Sequence, residues 1–202
     1  MSLVELIAQA DERGLAASGL ACLDRCLPLL GGDDEVLRPL WAGLADGGDV
    51  DDWAARIAEV RGKLGDGGPD DPAVAGPADP GGSAGSPGDE ATLLARRMLA
   101  AAPAERSAAE VRVWADACSV ASLQIHRLLD PLAGPASSVD ARREGRTEGM
   151  SPLVAAELRR QIIVLELLAE HGAGGVRRAL EVSTEGRRVL RAVVARRSRR
   201  RA

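Results

Sequence analysis

Phenylalanine and tyrosine are missing from this 202-residue chain, and tryptophan occurs three times. Lysine is nearly absent: of 26 basic residues, all but Lys63 are arginine. So few aromatic residues leave strands little to be built from, whereas abundant Ala, Leu, Arg and Glu favour helix. The accompanying Gly and Pro excess reads as a coding bias, so the missing lysine and tyrosine say little about function. Cysteine is also scarce. Three residues, an odd number, exclude a disulfide framework and point to a reducing compartment. Long apolar runs are lacking too: Ile162 to Leu165 is the longest uninterrupted run of large aliphatic residues and falls far short of the ~20 residues of a membrane span. The stretch MSLVELIAQADERG has neither the basic start nor the apolar core of a signal peptide. These absences predict an all-α cytoplasmic protein.

Charge is unevenly placed. Residues 1–90 hold 18 acidic and 6 basic groups, residues 91–172 hold 10 of each, and residues 173–202 hold 10 arginines against Glu181 and Glu185. A basic arm of this kind serves an acidic partner or folds back on the chain's own acidic half.

The first 64 residues read as four short helices divided by glycine. Ser2 and Glu5 fit a capping box, and the stripe Leu3, Leu6, Ile7, Ala10 ends at Gly14. A second helix runs from about Leu15 towards Leu30, a third presents Leu37, Leu40, Trp41 and Leu44, and a fourth carries the seam Val50, Trp53, Ile57, Val60, Leu64. Residues 65–88, thirteen of which are Gly or Pro, read as a disordered acidic linker. A second helical set opens with Asp89 as cap. A capping box at Ser107 and Glu110 then begins the most regular stripe in the chain: Val111, Trp114, Cys118, Ala121, Ile125, Leu128. Residues 131–149 read as loop.

The strongest helix signal is Ser151 to Gly172, apolar on most sides except at Arg159, Glu166 and Glu170, and predicted to lie at the centre of a helical bundle. It should run antiparallel to the Trp114 helix. The organisation expected is thus an N-terminal segment 1–64, a linker 65–88, a helical bundle 89–182 and a basic tail 183–202.

Chemistry is thinly signalled. Cys22 and Cys26 lie four apart without a second pair, and Cys118 stands alone, so core thiols are expected rather than a metal centre. His126 and His171 read as surface or capping residues. Glu166 and Glu170 read as a solvated pair. The glycines at 172–175 follow no strand and precede no lysine, which leaves no nucleotide fold around them. No catalytic, cofactor or metal residue is assigned.

The candidate binding residues are the tail arginines Arg177, Arg178, Arg187, Arg188, Arg191, Arg196 and Arg197. Leu158–His171, Val176–Val182, a turn at Ser183–Gly186 and Arg187–Arg197 resemble a helix-turn-helix, through Val176, Leu180, Val182, Ser183 and Leu190. Arg177, Glu181 and Arg187 depart from that motif's small, turn-glycine and apolar positions. The resemblance implies a recognition helix bearing Arg187, Arg188 and Arg191. Two further readings stand beside it: a basic helix on RNA or an anionic membrane, and a tail packed on the bundle. The leading expectation is a non-catalytic interaction or regulatory module with a protein partner, and the alternative is a DNA- or RNA-binding regulator.

Overall fold

A computed structural model describes residues 1–46, 50–65, 86–132 and 138–201. Its elements are α1 (Leu3–Gln9), α2 (Glu12–Cys26), a 3-10 turn (Leu27–Leu29), α3 (Arg38–Ala45), α4 (Val50–Gly65), α5 (Pro87–Ala100), α6 (Ala108–Leu129), α7 (Val139–Arg143), α8 (Pro152–His171), a second 3-10 turn (Gly172–Gly175) and α9 (Val176–Arg201). The described residues contain no strand, and the fold is all-α.

Helix boundaries follow their caps. Ser2 and Glu5 form the predicted box. Gly14 does not end a helix. Asp11 caps α2 by accepting the Gly14 N–H at 2.7 Å, so α1 stops at Gln9 and Gly14 joins the next first turn. Most of the expected linker, residues 66–85, lies outside the described residues. Its last part is helical, because Ser86 rather than Asp89 caps α5, with Pro87 at a first-turn position that needs no N–H donor. Residues 139–143 form α7, held by Ser138, where the sequence reads as loop. Ser151 makes no side-chain cap. Asp130, at the end of α6, takes that role by accepting the Leu153 N–H at 3.0 Å.

The centre of the bundle is α2, not α8. Every residue from Gly14 to Cys26 is buried, and α3, α5, α6, α8 and α9 all pack on this helix. Its small residues, Ala16, Ala17, Ser18, Gly19 and Ala21, let neighbours approach from several sides. A Cβ at Gly19 would stand 2.6 Å from the Trp114 ring, so α2 and α6 meet at a distance that requires glycine there. The helix directions follow from paired positions. Gly19 meets Trp114 and Cys26 meets Ser122, which makes α2 and α6 parallel. Ser119 bonds Gln161 and Ser122 bonds Glu157, which makes α6 and α8 antiparallel, as the stripes predict. At the α8–α9 junction Gly172 adopts a positive φ, and a Cβ at Gly175 would run into the Leu167 carbonyl.

The N-terminal helices are fastened to the rest through polar side chains. Trp53 donates to the Pro103 carbonyl, and Arg61 donates to the carbonyls of Leu99, Ala100 and Ala102, where α5 leaves its last acceptors without partners. Arg112 does the same for α1 at Ile7, Ala8 and Ala10.

Candidate functional site

The predicted turn at Ser183–Gly186 does not form. α9 is one continuous helix of 26 residues, so a separate recognition helix is absent and the helix-turn-helix resemblance fails. Ser183 explains part of this: it is fully buried, and its hydroxyl donates to the Ala179 carbonyl within the helix. Gly186 sits where α9 crosses the Arg25 side chain, and a Cβ there would collide with it. The glycine that reads as a turn signal is a close-packing site.

The seven tail arginines divide by environment. Arg187, 4% exposed, pairs with Asp24 at 2.7 Å and faces Asp34 at 3.4 Å. Arg191 pairs with Asp34. Arg197 donates to the Leu128 carbonyl at the end of α6. These three join the basic arm to the rest of the fold. Arg178 is exposed, 3.2 Å from the His171 ring, and Arg177 is exposed, 3.6 Å from Glu181. Arg188 and Arg196 are exposed. The structure therefore does not bring Arg187, Arg188 and Arg191 onto one free face.

A buried polar chain, invisible to pattern reading, runs between α2, α6, α8 and α9. Arg25 and Glu157 are both fully buried, and their side chains meet in two parallel bonds of 2.7 Å. Glu157 Oε1 also accepts from the Ser122 hydroxyl at 2.7 Å and from Gln161 Nε2 at 2.8 Å. Arg25 further reaches Ser183 and the Cys22 sulfur. Ser119 donates to Gln161 Oε1 and accepts from Arg143, whose other arm pairs with Asp116. Beside this chain, Asp24 accepts from Trp41 Nε1 at 2.8 Å and from Arg187.

Electrostatics in this seam follow from burial and pairing. Burial acts to raise the Glu157 carboxyl, but the Arg25 guanidinium and the hydrogen bonds reverse that and hold it at about 2. Burial raises Asp24, with Arg187 opposing. Burial pushes the Cys22 thiol up to about 12 and raises Cys26 and Cys118 as well, so all three are inert thiols. His126 is 1% exposed, not a surface residue. Its Nδ1 lies 2.7 Å from the Ser122 carbonyl, which can only accept, so Nδ1 carries the proton. Burial lowers its pKa and keeps the ring neutral. The remaining nitrogen, Nε2, is buried without a hydrogen-bond partner, 3.6 Å from Glu157.

Serine, histidine and carboxylate thus stand close together, but none is open to a substrate. Ser122, His126, Glu157 and Gln161 are each at most 1% exposed. The group can orient helices. It has no access to solvent through which to turn over a ligand.

On the outside, the surface differs. The α5–α6 connection and the outward side of α6 form a groove of about 570 Å³. It is lined by Ala101, Pro103 and Ala104 from the connection and by Ala109, Val113, Trp114 and Ala117 from α6. Val113 is 72% exposed, although its neighbours Val111, Trp114, Ala115 and Cys118 on the inner side of α6 are buried. Glu105 and Glu110 stand at the rim, both exposed. Ser107 accepts the Glu110 N–H as a cap, yet the Glu110 carboxylate does not close the predicted box. Among the described residues there is no group of His, Cys, Asp and Glu that could hold a metal ion, and no helix long and apolar enough to cross a membrane. Neither protein-family models nor curated proteins nor solved structures give a match to this chain.

Proposed function

We propose that this chain is a non-catalytic interaction or regulatory module that binds a macromolecular partner, most naturally another protein, through a helical surface. The observation that carries this reading is the outward row Ala109, Val113, Ala117 on α6: an apolar ridge facing solvent beside a groove of about 570 Å³, in a molecule whose reactive side chains are sealed inside. An apolar i, i+4 row facing solvent is the kind of ridge against which a second helix packs. A reduced, cytoplasmic setting fits the three unpaired buried thiols.

A second reading, nucleic-acid binding, keeps support from α9. Arg177, Arg188 and Arg199 recur every eleven residues, three helical turns, on its exposed side, with Arg178 and Arg196 adjacent. Glu181 and Glu185 dilute this face. Such a surface would grip phosphates through charge rather than read bases.

One experiment separates the two. A photo-crosslinking residue is placed in the full chain at position 113 or at position 188, and each variant is irradiated in extract with and without nuclease. The interaction reading expects one discrete protein adduct from 113, insensitive to nuclease. A nucleic-acid adduct from 188, with none from 113, overturns it in favour of the second reading.

A further inference from the structure

We propose that His126 is a proton-operated latch on α9: a proton on its ring loosens the basic arm from α2 and α8 while the other helices stay assembled. This goes beyond the interaction reading and does not depend on it.

The latch begins with one nitrogen. His126 is buried, its Nδ1–H is engaged with the Ser122 carbonyl, and its Nε2 is buried without a hydrogen-bond partner. A second proton has only Nε2 to go to. The carboxylate beside it, Glu157, stands 3.6 Å away, too far for a hydrogen bond, and its Oε2 already accepts from Arg25 Nε at 2.7 Å. A charged ring has to close that gap and share Oε2 with Arg25.

Two cations and one carboxylate face the ring. α2 contributes Arg25, and α8 contributes Glu157 and Arg160. Beyond the ring, at the end of α6, α9 brings Arg197 to the Leu128 carbonyl and α5 brings Asp89 beside Leu129. Burial raises the Cys22 and Cys26 thiols, so both stay uncharged. With the ring protonated, three cations would stand about Glu157 in a space closed to water. Burial already disfavours that charge.

α9 is the element placed to feel the excess. Arg25 and Arg160 both run beneath Gly186, where an added Cβ would collide with the first and stand 3.0 Å from the second. Arg25 also reaches the Ser183 hydroxyl. Arg160 is only half-buried, and its Nη1 lacks a hydrogen-bond partner. Repulsion from a charged ring therefore drives both side chains against the α9 backbone, at a contact close enough to require glycine. The proton binds the opened arm better than the closed one, and opening grows as pH falls below the ordinary histidine value of 6.5.

Hydrogen–deuterium exchange of the full-length protein, corrected for intrinsic rates, tests this between pH 7.5 and pH 5.5. Amides of residues 183–199 are expected to lose about ten-fold in protection, the factor set by one pH unit below 6.5. They should also be less protected and less sensitive to added urea than amides of α2, as for a helix that opens by itself. His126→Asn can still donate to the Ser122 carbonyl but takes up no proton, and should abolish the ten-fold loss. A loss that persists in this variant belongs to another group, such as Asp24, and overturns the latch. So does equal protection and equal urea dependence in α9 and α2, which would mean that the whole bundle unfolds. If the variant does not fold, the onset in the parent decides. Onset near pH 6.5 supports the ring, whereas onset only below about pH 5 belongs to a carboxylate and overturns the latch.

Discussion

The seam between α2, α8 and α9 and the groove between α5 and α6 handle polar groups in opposite ways. In the seam, the two buried carboxylates each have a counter-charge: Glu157 has Arg25, and Asp24 has Arg187. In the groove, Glu105 and Glu110 have no such partner among the described residues. A buried charge without a partner is several kcal/mol unfavourable, so the seam must be complete in the free chain. An exposed carboxylate carries no such penalty, and the groove can wait for its complement. The contrast separates a region that determines how the helices assemble from one that is available to something else. It can be broken from either side, and the seam should break hardest.

Arg25→Met is expected to produce the largest loss, about 3–5 kcal/mol, because it leaves Glu157 charged and buried. Urea unfolding followed by circular dichroism measures it. Combining it with Glu157→Leu should recover most of the loss, since the penalty belongs to the orphaned charge and not to the missing bond. If the double variant is as unstable as the single one, the pair is not the source of the seam's stability.

Backbone proximity comes next. Gly19→Ala would drive a methyl into the Trp114 ring, and Gly175→Ala would drive one into the Leu167 carbonyl. Each should lower stability by about 1–3 kcal/mol, the usual cost of overpacking. Gly175→Ala should be the worse of the two because a carbonyl in a helix cannot move aside as a side chain can. Thermal melts of the two variants side by side check that order.

The seam also predicts how stability follows pH. Glu157 falls from an ordinary value of 4.5 to about 2 in the fold, so its contribution is complete above 4.5 and is lost as pH drops towards 2. His126 is also lowered from its ordinary 6.5, because burial disfavours the charged ring. Its contribution is complete above 6.5 and declines as pH falls below that value, where the unfolded chain takes up the proton first. Asp24, raised by burial, acts in the opposite sense over the carboxylate range. Unfolding free energies measured from pH 8 to pH 3 should therefore decline in two stages, and His126→Asn should flatten the upper one.

Much of this architecture is legible in the sequence, and the seam is not. The stripe Val111 to Leu128 marks α6, and Ser2 with Glu5 marks the first cap, because local periodicity and caps are properties of neighbouring residues. The centrality of α2 is hidden. Asp24 and Arg25 make it look half-polar, and their partners lie on α8 and α9, more than 130 residues away. Glu157 is likewise one polar residue on an apolar helix, with nothing nearby to distinguish it from the solvated Glu166 and Glu170. The tail misleads for a related reason. Ser183 and Gly186 carry turn chemistry, but tertiary packing against Arg25 keeps the helix continuous. The groove is half-legible: Val113 breaks the inward stripe of α6, but only the structure shows that the α5–α6 connection stands opposite it.

The arm's attachment at its partly exposed edge should matter less than the seam. Asp34 bonds Arg191, which holds the Asp34 carboxyl below its usual range, and both side chains are nearly half exposed. Asp34→Asn is expected to lose no more than about 1 kcal/mol, the typical worth of a solvent-screened pair. It also frees Arg191 to join the outward arginines of α9. If α9 grips phosphates, duplex binding by this variant should tighten and its salt dependence steepen relative to the parent chain. Unchanged anisotropy of a labelled duplex across a salt series would count against that second reading.

Val113→Arg should have the smallest effect on the fold and the greatest on the groove. Its side chain is 72% exposed, so replacing it should change stability by no more than about 0.5 kcal/mol. The same change places a long charged side chain on the ridge between Ala109 and Ala117, where it blocks close approach of a second helix. In this background a crosslinking residue at position 117 should lose its protein adduct while the melting curve overlays that of the parent. A matched substitution on the seam cannot behave this way, because any charge placed there must unfold its surroundings before it can be read as a loss of binding. A Val113→Arg protein that unfolds easily would place position 113 inside the molecule's own packing and remove the distinction on which the groove's role depends.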